Sequence, residues 1–371
     1  MTGTSIRLTK QRRWLPSRQL AYTAFCWLYV LFCFGAAIFC LSIAIPETLT
    51  FGTYGSLIFS LSLLLAFTYA FASYLILSPP IMRTITMMRE RRFYQAEKMM
   101  SRSINIVRRL GLRKDWSYCT AVSNLAVLKV ATGQFAEAEL MYDELVQYIK
   151  KDKRLAKSCL AAIYLNNLAY AHLRQDELEA AEINALKAKT IWSNLKPKQR
   201  SGTAFPLVNL AEIDLCRDNL AASEAKLDQA LALIDEQTKP IELMEESFVN
   251  LKITAYILKA TIYLQTDRKA NADALTKLAL EHMNGEDCYT GFCINTVTNL
   301  ASAYLEQGDK QLAEALLEHA YDHARAFPTH PDNVHLLDCY EQLLAGSERA
   351  HELPDLKAWV RPIHIGEDPA G

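Results

Sequence analysis

Eight histidines and nine cysteines are the side chains of this 371-residue chain best suited to metal binding, redox chemistry or nucleophilic attack. His319 and His323 stand four apart in a helical pattern, with His330, Asp332 and His335 close behind. Two imidazoles at that spacing share a helix face and suit a transition metal, and they suit an exposed polar face equally well. Cys288 and Cys293 have four residues between them, which is not the spacing of a metal knuckle. An odd cysteine count without paired spacing argues against a disulfide framework. Cys26, Cys33 and Cys40 recur every seven residues, as small residues do where membrane helices pack closely, and Gly52, Ser56 and Ser60 offer a matching stripe. His351-Glu352-Leu353-Pro354 places a proline where a zinc-binding helix would have to continue. A phosphate-binding glycine loop, an HExxH pair and a nucleophile elbow are all missing from the sequence. The reading is of no catalytic residue, no metal site and no cofactor.

What recurs instead is an amide. Asn124-Leu125-Ala126, Asn167-Leu168-Ala169, Asn209-Leu210-Ala211 and Asn299-Leu300-Ala301 repeat one phrase, and Leu258-Lys259-Ala260 fills its gap. The alanines at 126, 169, 211, 260 and 301 are 43, 42, 49 and 41 residues apart. A period of that size is the mark of stacked helical hairpins, each burying its apolar face against its neighbours. Within each unit a polar turn follows the first helix, and a small residue falls twelve positions after the repeat alanine: Ala138, Ala181, Ala272 and Ala313. The third unit departs, with Asp214 and Ser223 at two of the shared positions and an insertion around Gln237–Glu246 that includes Pro240. Counting back from Phe93-Tyr94-Gln95-Ala96-Glu97 gives an earlier unit with Thr84 in the alanine position.

The N-terminal part reads differently. Residues 20–45 carry no charge, and a second uncharged run has its apolar heart from Leu57 to Leu77. Each is long enough for the roughly 20 apolar residues that a membrane helix needs. Lys and Arg flank both runs and are missing between them, the pattern of a hairpin whose two ends face the cytoplasm. The expected location is therefore an integral membrane protein of a bacterial inner membrane, with both termini cytoplasmic. Residues 1–115 carry a net charge of +11 and the remainder −12. The basic collar suits anionic lipid headgroups and the acidic body disfavours nucleic acid. The run Lys150, Lys151, Lys153, Arg154, Lys157 reads as a solvated linker.

The recurring offsets resemble tetratricopeptide repeats, in particular the 42-residue kinesin light chain type. The resemblance implies an all-α fold: a right-handed α-solenoid of helix pairs, here behind an N-terminal transmembrane hairpin. The expected divisions are a basic N-terminus (1–19), two spans (20–45 and 52–78), a solenoid of about six helix pairs (81–325), capping helices (326–361) and a tail (362–371). Ser78-Pro79-Pro80 is expected to end the second span. The resemblance further implies that first helices line a concave groove. Asn124, Asn167, Asn209 and Asn299, with Tyr170 and Arg174, would then contact a protein or peptide partner; the alternative role for these amides is to pin neighbouring repeats. The function so implied is a membrane-anchored adaptor without enzymatic activity, or alternatively a membrane sensor that regulates a separate enzyme or secretion machine.

Overall fold

The computed structural model describes residues 61–62, 65, 72, 75–88, 90, 92–112, 116–151, 153, 155–236, 245–284, 294–325, 327–328, 330–345 and 347–359. These residues form helices and turns, with no strand among them. The chain divides into two units, 1–76 with 106–115 and 77–105 with 116–371, and the hairpin stack belongs to the second.

Helix α1 (75–88) pairs with α2 (Phe93–Arg109), α3 (Trp116–Ala131) with α4 (Phe135–Lys150), and α5 (Cys159–Leu173) with α6 (Leu178–Ser193). Next come α7 (Ala204–Cys216) with α8 (Leu220–Asp235), α9 (Glu245–Gln265) with α10 (Lys269–Met283), and α11 (Ile294–Glu306) with α12 (Lys310–Ala324). α13 (Asn333–Leu344) and the short α14 (Leu353–Trp359) follow.

The twelve-residue offset explains why these segments pair. Thr84 and Ala96, Ala126 and Ala138, Ala169 and Ala181, Ala211 and Ser223, Ala260 and Ala272, and Ala301 and Ala313 all have 0% exposure. A methyl or hydroxyl group at both positions lets two backbones come close enough to exclude every larger side chain, and the neighbouring leucines fill the ridges alongside. Ser223, the departure in the third unit, keeps the fit because its Oγ donates to the Ala211 carbonyl at 2.7 Å. Asp214, the other departure, pairs with Lys226 one turn further along the same hairpin.

The turns are equally regular. Seven positions after each repeat alanine the backbone enters the left-handed region: Gly133 (φ 76°), Asp176 (61°), Asp218 (60°), Asp267 (56°) and Gly308 (77°). Each turn closes as a Schellman motif, with the next amide donating back to the carbonyl five residues before it: Gln134 to Lys129, Glu177 to His172, Asn219 to Asp214, Arg268 to Tyr263 and Asp309 to Tyr304, all at 2.8–3.0 Å. Arg92 donates to Met87 in the same way, so the earliest hairpin turns by the same device. Aspartate is tolerated there because its short polar side chain suits the left-handed conformation better than most.

Successive first helices pack directly on one another, whereas successive second helices mostly meet only the first helices between them. The first helices therefore form the more closely spaced layer of the stack.

The expected integral-membrane location is corrected: among the described residues no helix is long and apolar enough to cross a membrane. The expected span at 20–45 and most of that at 52–78 lie outside the described residues. Where the second is described, its end does not stop at Pro79-Pro80 but continues as α1 to residue 88. Leu77, Ile81, Thr84 and Met87 of that helix are buried at helical spacing, and Met87 joins the protein's apolar core. This packing, rather than lipid, absorbs its apolar face, and it sustains the helix past two prolines that each lack a backbone donor.

Asp267→Gly, which removes the strain of a Cβ at positive φ, should raise stability by about 0.5–1 kcal/mol. Ala260→Leu, which forces a branched side chain into the closest helix contact, should lower it by about 1–3 kcal/mol or more. Thermal unfolding followed by circular dichroism reads both, and equal midpoints for the two variants would contradict the packing scheme.

Candidate functional site

The repeat asparagines come from equivalent turns of α3, α5, α7 and α11, yet they occupy different environments. Asn209 is buried, and its amide donates to the carbonyl of Asn166 at 3.2 Å and to the Asn166 side-chain oxygen at 3.1 Å. It ties α7 to α5. Asn167 is half-buried and donates to the Tyr142 hydroxyl on α4 at 3.2 Å. Burial drives the Tyr142 phenol well above its ordinary pKa, although the Asn167 bond opposes this. Asn124 is half-buried. Asn299 is exposed; its amide donates to Asn295 at 2.7 Å and its oxygen meets Nε2 of His335, on α13, at 3.0 Å.

Tyr170 and Arg174, one turn apart at the end of α5, do come together. The guanidinium lies 5.2 Å from the centre of the Tyr170 ring and pairs with Glu212 of α7. Only 7% of the Arg174 side chain and 9% of that of Glu212 are exposed. Burial works against the charge on Arg174, but Glu212 foremost, with Tyr170 and Asp332, outweighs it and raises the pKa. Its Nε has no partner among the described residues. This is a buried cation held between the C-terminal halves of two successive first helices, α5 and α7.

The Asp332 that acts on Arg174 belongs to the loop between α12 and α13, which the sequence did not connect with the early repeats. The loop is a knot of turns: His330 N donates to Phe327 O at 2.9 Å, Asn333 N to His330 O at 3.1 Å, and the Asn333 side-chain amide to Phe327 O at 2.6 Å. Phe327 packs against Phe93 of α2 with ring centres 4.4 Å apart, and His330 stands edge-on to Phe135 of α4 at 5.8 Å. Pro331 covers Gly133 so closely that a Cβ there would sit 2.3 Å from the proline Cδ. The loop thus touches the first and second hairpins, and its Asp332 acts on Arg174 of the third through charge alone. The one sequence signal for it is the pair Pro328 and Pro331 around a histidine, which indicates turns but names no contact.

Of the expected histidine group, His335 reaches Asn299 and His330 enters the loop. A different set brings metal-type donors together: Glu139, His172 and Glu177 have ligand atoms within 4.8 Å of one another. His172 Nδ1 already bonds Glu177 at 2.6 Å, and Glu139 accepts from Gln175 at 2.8 Å. Those hydrogen bonds account for the cluster without an ion.

Residues 294–332, which span α11, α12 and the loop up to Asp332, match the tetratricopeptide repeat family model. Among solved structures, BtubC (BKLC) from P. vanneervenii is 18% identical, with a TM-score of 0.42 over 70% of this chain and 92% of that one. A Podosopora anserina kinesin light chain protein with nearly identical TPR-like repeats is 16% identical, with a TM-score of 0.38 over 55% of this chain and 93% of that one. A second structure of that protein gives 16% identity and a TM-score of 0.37. The comparison with curated proteins gives no significant match. The chain thus carries a tetratricopeptide repeat in its sixth hairpin, α11–α12, and its other hairpins repeat the same buried pairs.

Asn209→Ala should cost about 1–3 kcal/mol because it leaves buried acceptors of Asn166 unpaired, while Asn299→Ala should stay within about 0.5 kcal/mol. Arg174→Met should cost about 3–5 kcal/mol by stranding Glu212, and adding Glu212→Leu should recover most of it. Urea unfolding of these four variants and of Glu212→Leu alone measures these differences; an additive double variant would refute the buried pair.

Proposed function

We propose that this chain is a non-enzymatic scaffold that binds a protein or an extended peptide along its layer of first helices. Asn124 and Asn299 serve as partner contacts in this reading, and Asn167 and Asn209 hold the repeats in register beside Tyr170 and Arg174. The supporting observation is the contrast between Asn209 and Asn299. They hold the same place in the repeat, yet the first is buried against the neighbouring first helix and the second lies at the surface, where its bonds to Asn295 and His335 are exposed to solvent. A surface amide can exchange such solvent-exposed bonds for the donor and acceptor of a peptide backbone. A repeat scaffold gives such a partner a long, evenly spaced surface.

Photocrosslinking in cells tests this with the full chain. A benzophenone amino acid at position 124 and another at 299 should yield adducts with the same polypeptide. The same probe at Leu140, which is 70% exposed on the second helix α4, should not. Adducts formed from position 140 alone would move the binding surface to the opposite layer and defeat the proposal.

A further inference from the structure

We propose that the loop carrying Phe327, His330 and Pro331 is a pH-sensitive latch that holds the late hairpins against the first two and opens when His330 gains a proton. The first ground is geometric. Backbone N–H of Asp332 donates to His330 Nδ1 at 3.2 Å, which requires that nitrogen to be an unprotonated acceptor. A proton on Nδ1 sets one donor against another and removes the bond. The second ground is enclosure: His330 is 5% exposed, with Phe135 edge-on and the Gly133 backbone beneath it. An imidazolium there has no water to turn to.

The surrounding charges fix the direction. From its own loop, Asp332 Oδ2 lies 3.7 Å from Nδ1 and favours the proton. From α5, Arg174 opposes it, and burial opposes it most, so the pKa falls below the ordinary histidine value. The α3–α4 turn presents Gly133 and Phe135, both uncharged; its cation Lys129 is paired with Glu97 and Glu137. From α2 the packing group is Phe93. The closed latch therefore binds fewer protons than the open one. Closure is fully favoured above the ordinary histidine pKa and weakens as the pH falls below it. The latch stands independently of the scaffold reading; if that reading also holds, opening frees the Arg174–Tyr170 end of the first-helix layer.

Hydrogen exchange with mass spectrometry on the full chain, corrected for the intrinsic effect of pH, provides the test. Between about pH 7.5 and about pH 5.5, protection of segments 130–137 and 325–337 should fall together by up to about tenfold, with segment 209–223 unchanged. His330→Gln keeps an acceptor and cannot take the proton, so it should hold its protection at the lower pH. Unchanged protection in the wild type, equal loss in His330→Gln, or loss confined to 325–337 would each overturn the latch. Should His330→Gln fail to fold, two glycine variants keep the test open. Gly133 and Gly308 share a left-handed φ of 76–77°, but a Cβ at 133 strikes Pro331 while one at 308 meets open space. Gly133→Ala should expose both latch segments at about pH 7.5 and Gly308→Ala neither; the same exchange in both variants would also overturn the proposal.

Discussion

The contact between two small residues twelve positions apart is the constraint on which the rest of this structure depends. At that contact the helices of a hairpin meet with nothing between them but methyl groups, or a hydroxyl in the cases of Ser223 and Thr84. The offset is set by the turn. The first helix must end, reverse through one left-handed residue and begin the second within a fixed number of residues, or the two small faces miss each other. Regular Schellman closure at 133, 176, 218, 267 and 308 and zero exposure at the paired sites are therefore two aspects of one geometric requirement. A hydroxyl in such a slot must bond locally or go unpaired. Ser223 finds the Ala211 carbonyl, while Thr84 Oγ1 has no partner among the described residues.

This local rule is what made the hairpins legible. Periodicity locates alanines and glycines because only small side chains and only a left-handed turn fit, so the residue type and the geometry determine each other. The phrase Asn-Leu-Ala was legible only in its last two letters. Whether an asparagine is buried against a neighbouring helix or bonded at the exposed surface depends on what stands one repeat away. Asn209 has the Asn166 carbonyl within reach and Asn299 has Asn295 and His335 instead. No spacing rule within the repeat carries that information. The membrane expectation failed where it could be followed, because uncharged length says that a face will be buried but not by what. In α1 that face is buried by protein.

The least legible feature is the one that crosses the repeats. Gly133 and Gly308 are interchangeable in sequence terms, with the same offset, the same residue and the same φ, yet one lies under Pro331 and the other under nothing. A contact between residues separated by about two hundred positions leaves no periodic trace, since it occurs once. It brings together Phe93 with Phe327 and Phe135 with His330, one pair for each of two successive hairpins, and sets the charge of Asp332 to act on Arg174 of the third.

That contact also alters how the stack should behave as a physical system. In a linear array each repeat touches only its neighbours, stability is close to a sum of local terms, and the ends fray first. Here the loop before α13 is seated on hairpins near the start, and one apolar cluster joins Met87, Phe93 and Leu128 of the early hairpins to residues from Ile253 to Leu356. The early hairpins cannot loosen without uncovering Phe327, nor the late ones without uncovering Gly133. Coupling of this kind turns the weakest part of a repeat protein into a cooperative one, and it concentrates control in the few groups that form the seat. Those groups include a buried histidine and a buried arginine rather than leucines alone. An apolar seat would hold more firmly, but it would not respond to protons; a seat built around neutral His330 holds only while the imidazole remains an acceptor.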